Sequence, residues 1–422
     1  MRAALLLSVF TAVLGATTTT TKTKHHGNTK KHTTTATTGT GVATSSTAAK
    51  TSVQSASSAV RLTTTTIVKT TTKTTSTAET TTVASTSGAC IVSSYSGFTA
   101  CESSTDIIIQ GPFTVPANTV VSLPLKTGAT VTLSGTVTFA KSSTLTSDDH
   151  LLTISGTSIS FKSDSSNPGI LYGNGQLYWD GEGANGGVNK PKFIAISTTK
   201  STFHGIKVVN SPIHCFSIGG NSNLLDSITF DNSAGDTDSL GHNTDAFDVS
   251  ATDITIQNSW VHNQDDCLAI NKGSGINFLN NVCIGGHGVS IGSVQSGAVV
   301  ENIYINNVTI SDSANGVRIK TVYEATSGSV SNVTYKDITL SGISDYGIVV
   351  RQDYENGSPT GVAKGSLPIT GLTLNNVHGT VTGNSLLILC VTGLCTDFSF
   401  TDIAVTPVKA SCSGITPLPS GC

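Results

Sequence analysis

The chain has 422 residues, of which 12% are charged and 42 are glycine, and its formal net charge is −3. The charge is unevenly distributed, because nine of the 23 basic residues but only one of the 26 acidic residues precede residue 89. Residues 89–422 therefore carry a net charge of about −11. Because phosphate binding requires a basic face, this acidic segment argues against nucleic acid as a partner.

Residues 1–16 have the features of a secretory signal peptide. Arg2 is followed by an apolar run from Ala3 to Leu14 and by the small residue Ala16, a pattern that is too short to span a bilayer. No other run of about 18 apolar residues is present, so we expect the mature, secreted protein to have no membrane-spanning helix.

Residues 17–88 are dominated by threonine, serine and alanine and lack any alternation of apolar and polar positions. Such a segment cannot bury enough apolar surface to offset the entropy that is lost on ordering. We therefore predict a disordered, O-glycosylated stalk or propeptide before a folded domain at residues 89–422. Its eight basic residues, against the single acid Glu79, leave a second interpretation open, in which the segment binds an anionic wall polymer.

All nine cysteines lie in residues 89–422, and their spacing with histidines fits no zinc site. Downstream of a signal peptide, disulfide bonds are expected. Eight cysteines allow 105 pairings, and the sequence alone selects none of them. The simplest pairing joins neighbours: Cys90 with Cys101, Cys267 with Cys283, Cys390 with Cys395, and Cys412 with Cys422. Cys215, which lies in an apolar context, would then remain as a buried thiol.

Residues 89–422 have a β pattern almost throughout. Short runs rich in Ile, Val, Thr and Phe alternate with clusters of Gly, Asn, Asp and Ser, and no stretch has a convincing 3.6-residue apolar period. An apolar, polar, apolar motif followed by Asn or Asp recurs at irregular intervals of 22 to 39 residues. The motif starts at Ile228, Ile254, Ile276, Ile303, Val333 and Leu372.

This repeat predicts an all-β solenoid, a right-handed parallel β-helix in which each repeat is one coil. The recurring Asn and Asp residues would form polar ladders at the turns, and the apolar positions would stack inside. Weaker copies of the motif near Ala129 and Thr157 extend the helix toward Cys90. A β-sandwich is the main alternative, but its turn signals would fall about every 8 to 12 residues without a longer repeat.

Four short motifs carry carboxylates, an imidazole and cations. They are Asn243-Thr244-Asp245, Gln264-Asp265-Asp266, Gly286-His287-Gly288 and Arg318-Ile319-Lys320. Measured from the start of its own repeat, each charged residue lies 11 to 17 positions along the chain. Because neighbouring coils stack about 4.8 Å apart, these side chains are expected to share one cleft, with the carboxylates at one level and the cations below.

The residue types in this cleft suit the cleavage of an acidic sugar polymer. Glycoside hydrolysis needs one protonated and one ionised carboxyl group. Three crowded carboxylates cannot all ionise easily, so one should keep a proton. Arg318 supplies a planar fork and Lys320 a compact charge, and both suit a substrate carboxylate.

The four motifs, in this order, resemble the signature of fungal endopolygalacturonases, pectin-cleaving glycoside hydrolases with a β-helix fold. The resemblance runs from about residue 90 to residue 422. It implies that Asp265 is the general acid and that Asp245 and Asp266 hold and activate the attacking water. It also implies that His287 sets the protonation of the acid.

The same resemblance implies that Arg318 and Lys320 bind a galacturonate carboxylate, that Tyr346 lines an adjacent subsite and that Asn243 contacts substrate. It implies inversion at the anomeric carbon without a metal or cofactor, whereas a coil spacing of about 5 Å alone would suggest a retaining pair. It also supports the neighbour pairing of cysteines, including Cys267 with Cys283. We therefore expect a secreted monomer whose partner is pectin or polygalacturonate and whose Thr-rich segment could associate it with the cell wall.

Three alternatives remain at this point. An exo-acting enzyme, or a hydrolase of rhamnogalacturonan or a substituted galacturonan, would share the fold. A pectate lyase would also share it but needs calcium and a basic proton abstractor. A non-enzymatic wall-binding β-helix belongs to a different class. Sequons predict N-glycosylation at Asn307, Asn332 and Asn356.

Overall fold

The computed structural model describes residues 88–355 and 357–422. The predicted signal peptide, nearly all of the Thr-rich segment and the sequon residue Asn356 lie outside the described residues. Within the described part of the chain, no helix has the length and apolar character needed to cross a membrane.

The described residues form 29 β-strands, one α-helix and three short 3-10 helices. The strands are β1 (Cys90–Val92), β2 (Asp106–Gln110), β3 (Phe113–Val115), β4 (Val121–Pro124), β5 (Thr130–Ser134), β6 (Thr136–Phe139), β7 (His150–Thr157), β8 (Ser160–Ser163), β9 (Ile170–Tyr172), β10 (Lys192–Thr199), β11 (Thr202–His204), β12 (Lys207–Val209), β13 (Phe216–Asp226), β14 (Thr229–Asp231), β15 (Phe247–Gln257), β16 (Trp260–Asn263), β17 (Leu268–Leu279), β18 (Val282–Gly285), β19 (Val289–Val294), β20 (Val299–Ser311), β21 (Asn315–Val322), β22 (Ser329–Ile343), β23 (Tyr346–Glu355), β24 (Ser358–Pro359), β25 (Ile369–Val381), β26 (Asn384–Leu389), β27 (Cys395–Thr396), β28 (Ser399–Thr406) and β29 (Ala410–Ser413). The helices are α1 (Tyr95–Cys101) and the 3-10 turns Gly175–Leu177, Gly183–Asn185 and Ser233–Ser239.

The strands pair in parallel from coil to coil. Strand β13 pairs with β15, β15 with β17, β17 with β20, β20 with β22, and β22 with β25, each in parallel. The short strand β24 folds back antiparallel on β23 at the edge. This topology confirms the predicted all-β fold and its parallel β-helix architecture.

The predicted repeat is confirmed over five of its six copies. The five residues in mutual register are Ile254, Ile276, Ile303, Val333 and Leu372. The placement of Ile228 was wrong, because Asn223 lies opposite Ile254 and Ile228 directly precedes the next strand, β14. The same apolar and polar alternation occurs on neighbouring strands of one coil, so the pattern does not identify which strand it belongs to.

The apolar positions stack inside the coils. Phe216, Phe247 and Phe278 are each at most 1% exposed and follow one another on successive coils. The rings of Phe216 and Phe247 stack with centroids 5.5 Å apart, and Phe247 meets Phe278 edge-on at 6.3 Å. Full burial of each such ring contributes about 1.5–3 kcal/mol to the stability of the fold.

A polar ladder runs along one turn of the coils, as the sequence predicted. The Nδ2 of Asn258 donates to Asp226, that of Asn280 donates to Asn258, and that of Asn307 donates to Asn280. The three asparagines have left-handed φ values of 54°, 56° and 54°. Asparagine suits this position because it tolerates the left-handed region and offers both a donor and an acceptor.

Four disulfides join the neighbouring cysteines. The pairs are Cys90–Cys101, Cys267–Cys283, Cys390–Cys395 and Cys412–Cys422. Cys215 is a buried free thiol. The first pair ties helix α1 to strand β1, and the helix buries Phe98. The sequence analysis did not find this helix, because seven residues are too few to show a 3.6-residue period.

The ladder predicts a difference between two substitutions at one position. Asn280→Ala removes the two ladder hydrogen bonds of Asn280 and leaves at φ 56° a residue that tolerates the left-handed region less well than asparagine does. Asn280→Gly removes the same bonds without the backbone strain. We expect the alanine variant to be less stable than the glycine variant by about 1 kcal/mol, measured by thermal and denaturant unfolding. An alanine variant at least as stable as the glycine variant would contradict this account.

Candidate active site

The register between coils brings the acidic motifs together. Phe247 lies opposite Leu268, and Leu268 lies opposite Val289. Asp245, Asp266 and His287 each precede one of these three residues by two positions and therefore occupy equivalent places on successive coils. They line one cleft with a volume of about 550 Å³, together with Asp265, Arg318 and Lys320.

The Gly-His-Gly motif is required by backbone geometry. Gly286 and Gly288 have φ values of +66° and +92°, which favour glycine. A Cβ at Gly286 would lie 2.0 Å from the carbonyl oxygen of Asp265, and one at Gly288 would lie 2.3 Å from that of Asn315. The two glycines therefore let the turn approach its neighbouring coils closely and present His287 to the cleft.

The three carboxyl groups are buried and adjacent. One oxygen from each of Asp245, Asp265 and Asp266 lies within 4.8 Å of the other two. The exposed fractions of these residues are 7%, 9% and 1%. Mutual repulsion between three buried charges would be costly, so the site must contain compensating cations or protons.

Asp266 is compensated by two cations. Its Oδ1 pairs with Nη2 of Arg318 and accepts from the hydroxyl of Ser290 at 2.6 Å, and its Oδ2 accepts from Nζ of Lys320 at 3.0 Å. Ser290 in turn accepts from Nε of Arg318 at 2.8 Å. The cations belong to a later coil, as predicted, because Arg318 lies opposite Ser290, but both long side chains reach back to Asp266.

Asp265 is held by a different set of donors. Its Oδ1 lies 2.8 Å from Nδ1 of His287 and accepts from the backbone N–H of Asp266, and its Oδ2 accepts from Nδ2 of Asn243 at 3.2 Å. Burial raises the pKa of the Asp265 carboxyl, but the charge and hydrogen bond of His287, followed by the charges of Lys320 and Arg318, lower this pKa below its ordinary value.

The pKa of His287 is shifted in the opposite direction, upward. Burial lowers the pKa of the imidazole, but the charge and hydrogen bond of Asp265 raise this pKa above its ordinary value. The imidazole is about 40% exposed on the cleft side. The pair therefore favours an ionised Asp265 beside a protonated His287.

Asp245 has the most unfavourable environment for a charge. Burial, and next the charge of Asp265, raise the pKa of its carboxyl well above the ordinary value, and His214 opposes them. The proton that three crowded carboxyl groups should keep is therefore favoured on Asp245 in this arrangement rather than on Asp265.

The remaining predicted substrate residues lie on opposite sides of this cluster. Asn243 lines the cleft and accepts from the backbone N–H of Ala184 at 3.0 Å, besides its bond to Asp265. Tyr346 lies in an adjoining cavity of about 480 Å³, which His287 and Arg318 also line. All predicted site residues except the sequon Asn356 and the disulfide and glycan positions thus surround one connected groove. Asn307 and Asn332 are exposed on the outside of the helix.

Sequence reasoning missed His214, Asp248, Ser290 and Tyr354. His214 lies 3.6 Å from Asp245 and 2.7 Å from Asp248, and Lys320 lies over the Tyr354 ring at 5.3 Å. The available signals were weak, because His214 and Ser290 are single polar residues within apolar runs. Their importance appears only when the coil register is known.

Two clusters have donor types that a divalent cation accepts. They are His214 with Asp245 and Asp248, and Asp245 with Asp265 and Asp266. Arg318, Lys320, His287 and His214 already lie against these carboxylates. A metal ion is therefore not needed to balance their charge.

Comparison with known proteins gives consistent matches. Residues 101–422 match the sequence model of the family described as Glycosyl hydrolases family 28. An endo-polygalacturonase of Sclerotinia sclerotiorum is 51% identical over 323 residues, which cover 74% of this chain and 82% of that protein. A polygalacturonase of Penicillium griseoroseum is 50% identical over 317 residues, which cover 73% and 82%.

A solved structure of an endopolygalacturonase also matches this chain. Endopolygalacturonase I from Stereum purpureum, complexed with two galacturonate molecules, is 39% identical and has a TM-score of 0.65. The match covers 78% of this chain and all of that chain.

Ser290 gives a test of the buried charge cluster. Ser290→Ala would leave Nε of Arg318 without its hydrogen-bond partner and would remove one of the two donors to Oδ1 of Asp266, both at buried positions. We expect a loss of about 1–3 kcal/mol in the free energy of unfolding, measured by denaturant titration. Ser250→Ala, at an exposed position on β15, is the matched control and should change stability by less than about 0.5 kcal/mol. Equal effects of the two substitutions would refute the bridging role of Ser290.

Proposed function

Because the chain belongs to glycosyl hydrolase family 28, we propose that it hydrolyses the α-1,4 linkages between galacturonate units of polygalacturonate, with an endo pattern and inversion. Its relatives of about 50% identity carry the name polygalacturonase or endo-polygalacturonase. The observation that supports this substrate is the combination of buried carboxylates and two cations in one groove.

The cations retain capacity for a substrate carboxylate. Lys320 uses one of its three ammonium donors on Asp266, and the Nη1 of Arg318 has only a long contact of 3.5 Å with the Tyr354 hydroxyl. Both residues line the groove. A galacturonate carboxylate can therefore accept hydrogen bonds from the outer side of the pair, while Asp266 fixes the inner side.

We assign the catalytic roles as follows. Asp265 donates its proton to the glycosidic oxygen as the bond to the anomeric carbon breaks. A water molecule held by Asp245 and Asp266 attacks that carbon from the other face and gives its proton to Asp245. His287, which bonds Asp265, controls the protonation of this acid.

This assignment leaves Asp245 protonated and Asp265 ionised at the end of each turnover. That is the distribution that the electrostatics of the free cleft favour. The next cycle needs the proton on Asp265 again. A substrate carboxylate beside Arg318 and Lys320 counteracts the positive field that these cations exert on Asp265, and so raises the pKa of the acid when substrate is bound.

We further propose that the chain acts outside the cell as a monomer. Disulfides are stable in oxidising compartments, and four are present in the described residues. The predicted signal peptide and the two exposed sequons, Asn307 and Asn332, agree with this route. Sequencing of the N-terminus of the exported protein would locate the processing site.

Asp265→Asn tests the general acid. The amide keeps the side-chain volume but cannot donate a carboxyl proton, so kcat on polygalacturonate should fall by at least about 10²-fold, measured as release of reducing ends. Asp402→Asn, an exposed substitution on β28, is the matched control and should keep full activity. Circular dichroism should show both variants folded. A folded Asp265→Asn enzyme with wild-type turnover would reject the assignment, and a wild-type chain without reducing-end release would reject the proposed function.

The anomer of the first product tests inversion. Hydrolysis of an α linkage with water attacking from the opposite face gives the β anomer first. Proton NMR of the earliest products, recorded before mutarotation, should therefore show the β signal in excess. An initial excess of the α anomer would indicate a covalent, retaining route instead.

A further inference from the structure

His214 occupies a place between two carboxylates that the catalytic assignment does not use. It lies just before β13 and, by the pairing of Phe216 with Phe247, directly opposite Asp245 on the next coil. Its Nε2 lies 3.6 Å from Oδ1 of Asp245, and its Nδ1 lies 2.7 Å from Oδ2 of Asp248. The imidazole is 25% exposed and lines the cleft.

Among residues 88–355 and 357–422, the two carboxylate oxygens facing His214 have no other hydrogen-bond partner. Oδ1 of Asp245 and Oδ2 of Asp248 are buried and accept no well-aligned hydrogen bond. Buried carboxylate oxygens are costly unless a donor or a positive charge lies close by. His214 is the cation that lies against both of them.

We propose that protonated His214 is a positioning residue that holds the Asp245 carboxyl in place and favours its ionised form, so that it can accept the proton of the attacking water. This inference rests on the proposed function. It explains how a buried carboxyl group beside Asp265 and Asp266 can still serve as the base.

The charged groups around His214 agree with this role. Burial lowers the pKa of His214, but the charges of Asp245 and Asp248 raise it to about 10. Lys192, on the preceding coil, lowers it by a smaller amount. His150, which lies opposite Lys192, has a pKa lowered by burial and then by the charges of Lys192 and His214. His214 is therefore protonated wherever the carboxylates titrate.

The charges of His214 and Asp248 should shift the pKa of Asp245 in opposite directions. Loss of the His214 charge makes ionisation of Asp245 harder, so the pKa of the base rises. In the substrate complex, where Asp265 carries the proton and Asp245 is the ionised base, loss of kcat at low pH reports protonation of Asp245, so the acidic limb of the kcat profile should move to higher pH. Loss of the negative charge of Asp248, with His214 still protonated, makes ionisation of Asp245 easier and should move the same limb to lower pH.

The test compares pH profiles of kcat and KM on polygalacturonate. In His214→Gln the acidic limb should rise by about one unit or more, with a tenfold lower kcat one unit below the wild-type limb and little change in KM. In His214→Lys, which keeps a positive charge, the limb should stay nearer to the wild-type position. In Asp248→Asn it should fall.

The controls separate this role from a structural one. His204→Gln removes an exposed imidazole that lies 2.9 Å from Asp226 outside the cleft, and it should leave the profile unmoved. A uniform loss of kcat in His214→Gln with an unmoved limb would overturn the proposal. If that variant does not fold, Asp248→Asn decides the question: a fall of its limb supports the proposal, and an unmoved or raised limb overturns it. A wild-type enzyme without activity would refute the proposed function instead.

Discussion

The parallel register between successive coils is the constraint on which the site depends. Residues that are about 20 positions apart in the chain become neighbours because the strands after them pair without a shift, as Phe247, Leu268 and Val289 do. The hydrogen bonds and stacked apolar residues of the coils maintain this register. A slip by one residue would reverse the faces of the strands that follow and would move Asp245 and Asp266 out of line with His287 on the next coil.

The site held by this register must balance the charges of its buried carboxylates. Three buried carboxylates face Arg318, Lys320, His287 and His214, and each acid has its own partners. Asp266 is satisfied by two permanent cations, and a buried pair of this kind contributes more to position than to stability. Asp265 and Asp245 are paired with imidazoles whose charge depends on their surroundings. The site therefore contains one fixed carboxylate and two whose proton can move, which is what an acid and a base require.

The sequence predicted the repeating elements well and the single residues less well. The motifs around Asp265 and His287 were found because each combines, within a short stretch, several residues of types that are common in active sites. The register of Ile254 to Leu372 was found because five copies agree. His214 could not be placed, because its function depends on pairing across 31 residues with Asp245, and the misplaced copy at Ile228 lies in that interval. The sequence pattern also does not show how far a side chain extends from its own coil. The contacts of Arg318 and Lys320 with Asp266 could therefore be found only in the structure.

The overall charge adds a further constraint on the substrate. Residues 89–422 are acidic, with a net charge of about −11, and polygalacturonate is itself a polyanion. Charges farther apart than about 8 Å are screened at physiological ionic strength. The general repulsion is therefore weak at a distance, and binding depends on the few cations that lie within one sugar unit of the cleft floor.

Because those cations are already paired with acids, the substrate carboxylate enters a site with little excess positive charge. Under the proposed assignment, its arrival changes the protonation of the acids as well as occupying a subsite, so we expect recognition and proton placement to depend on the same two side chains, Arg318 and Lys320.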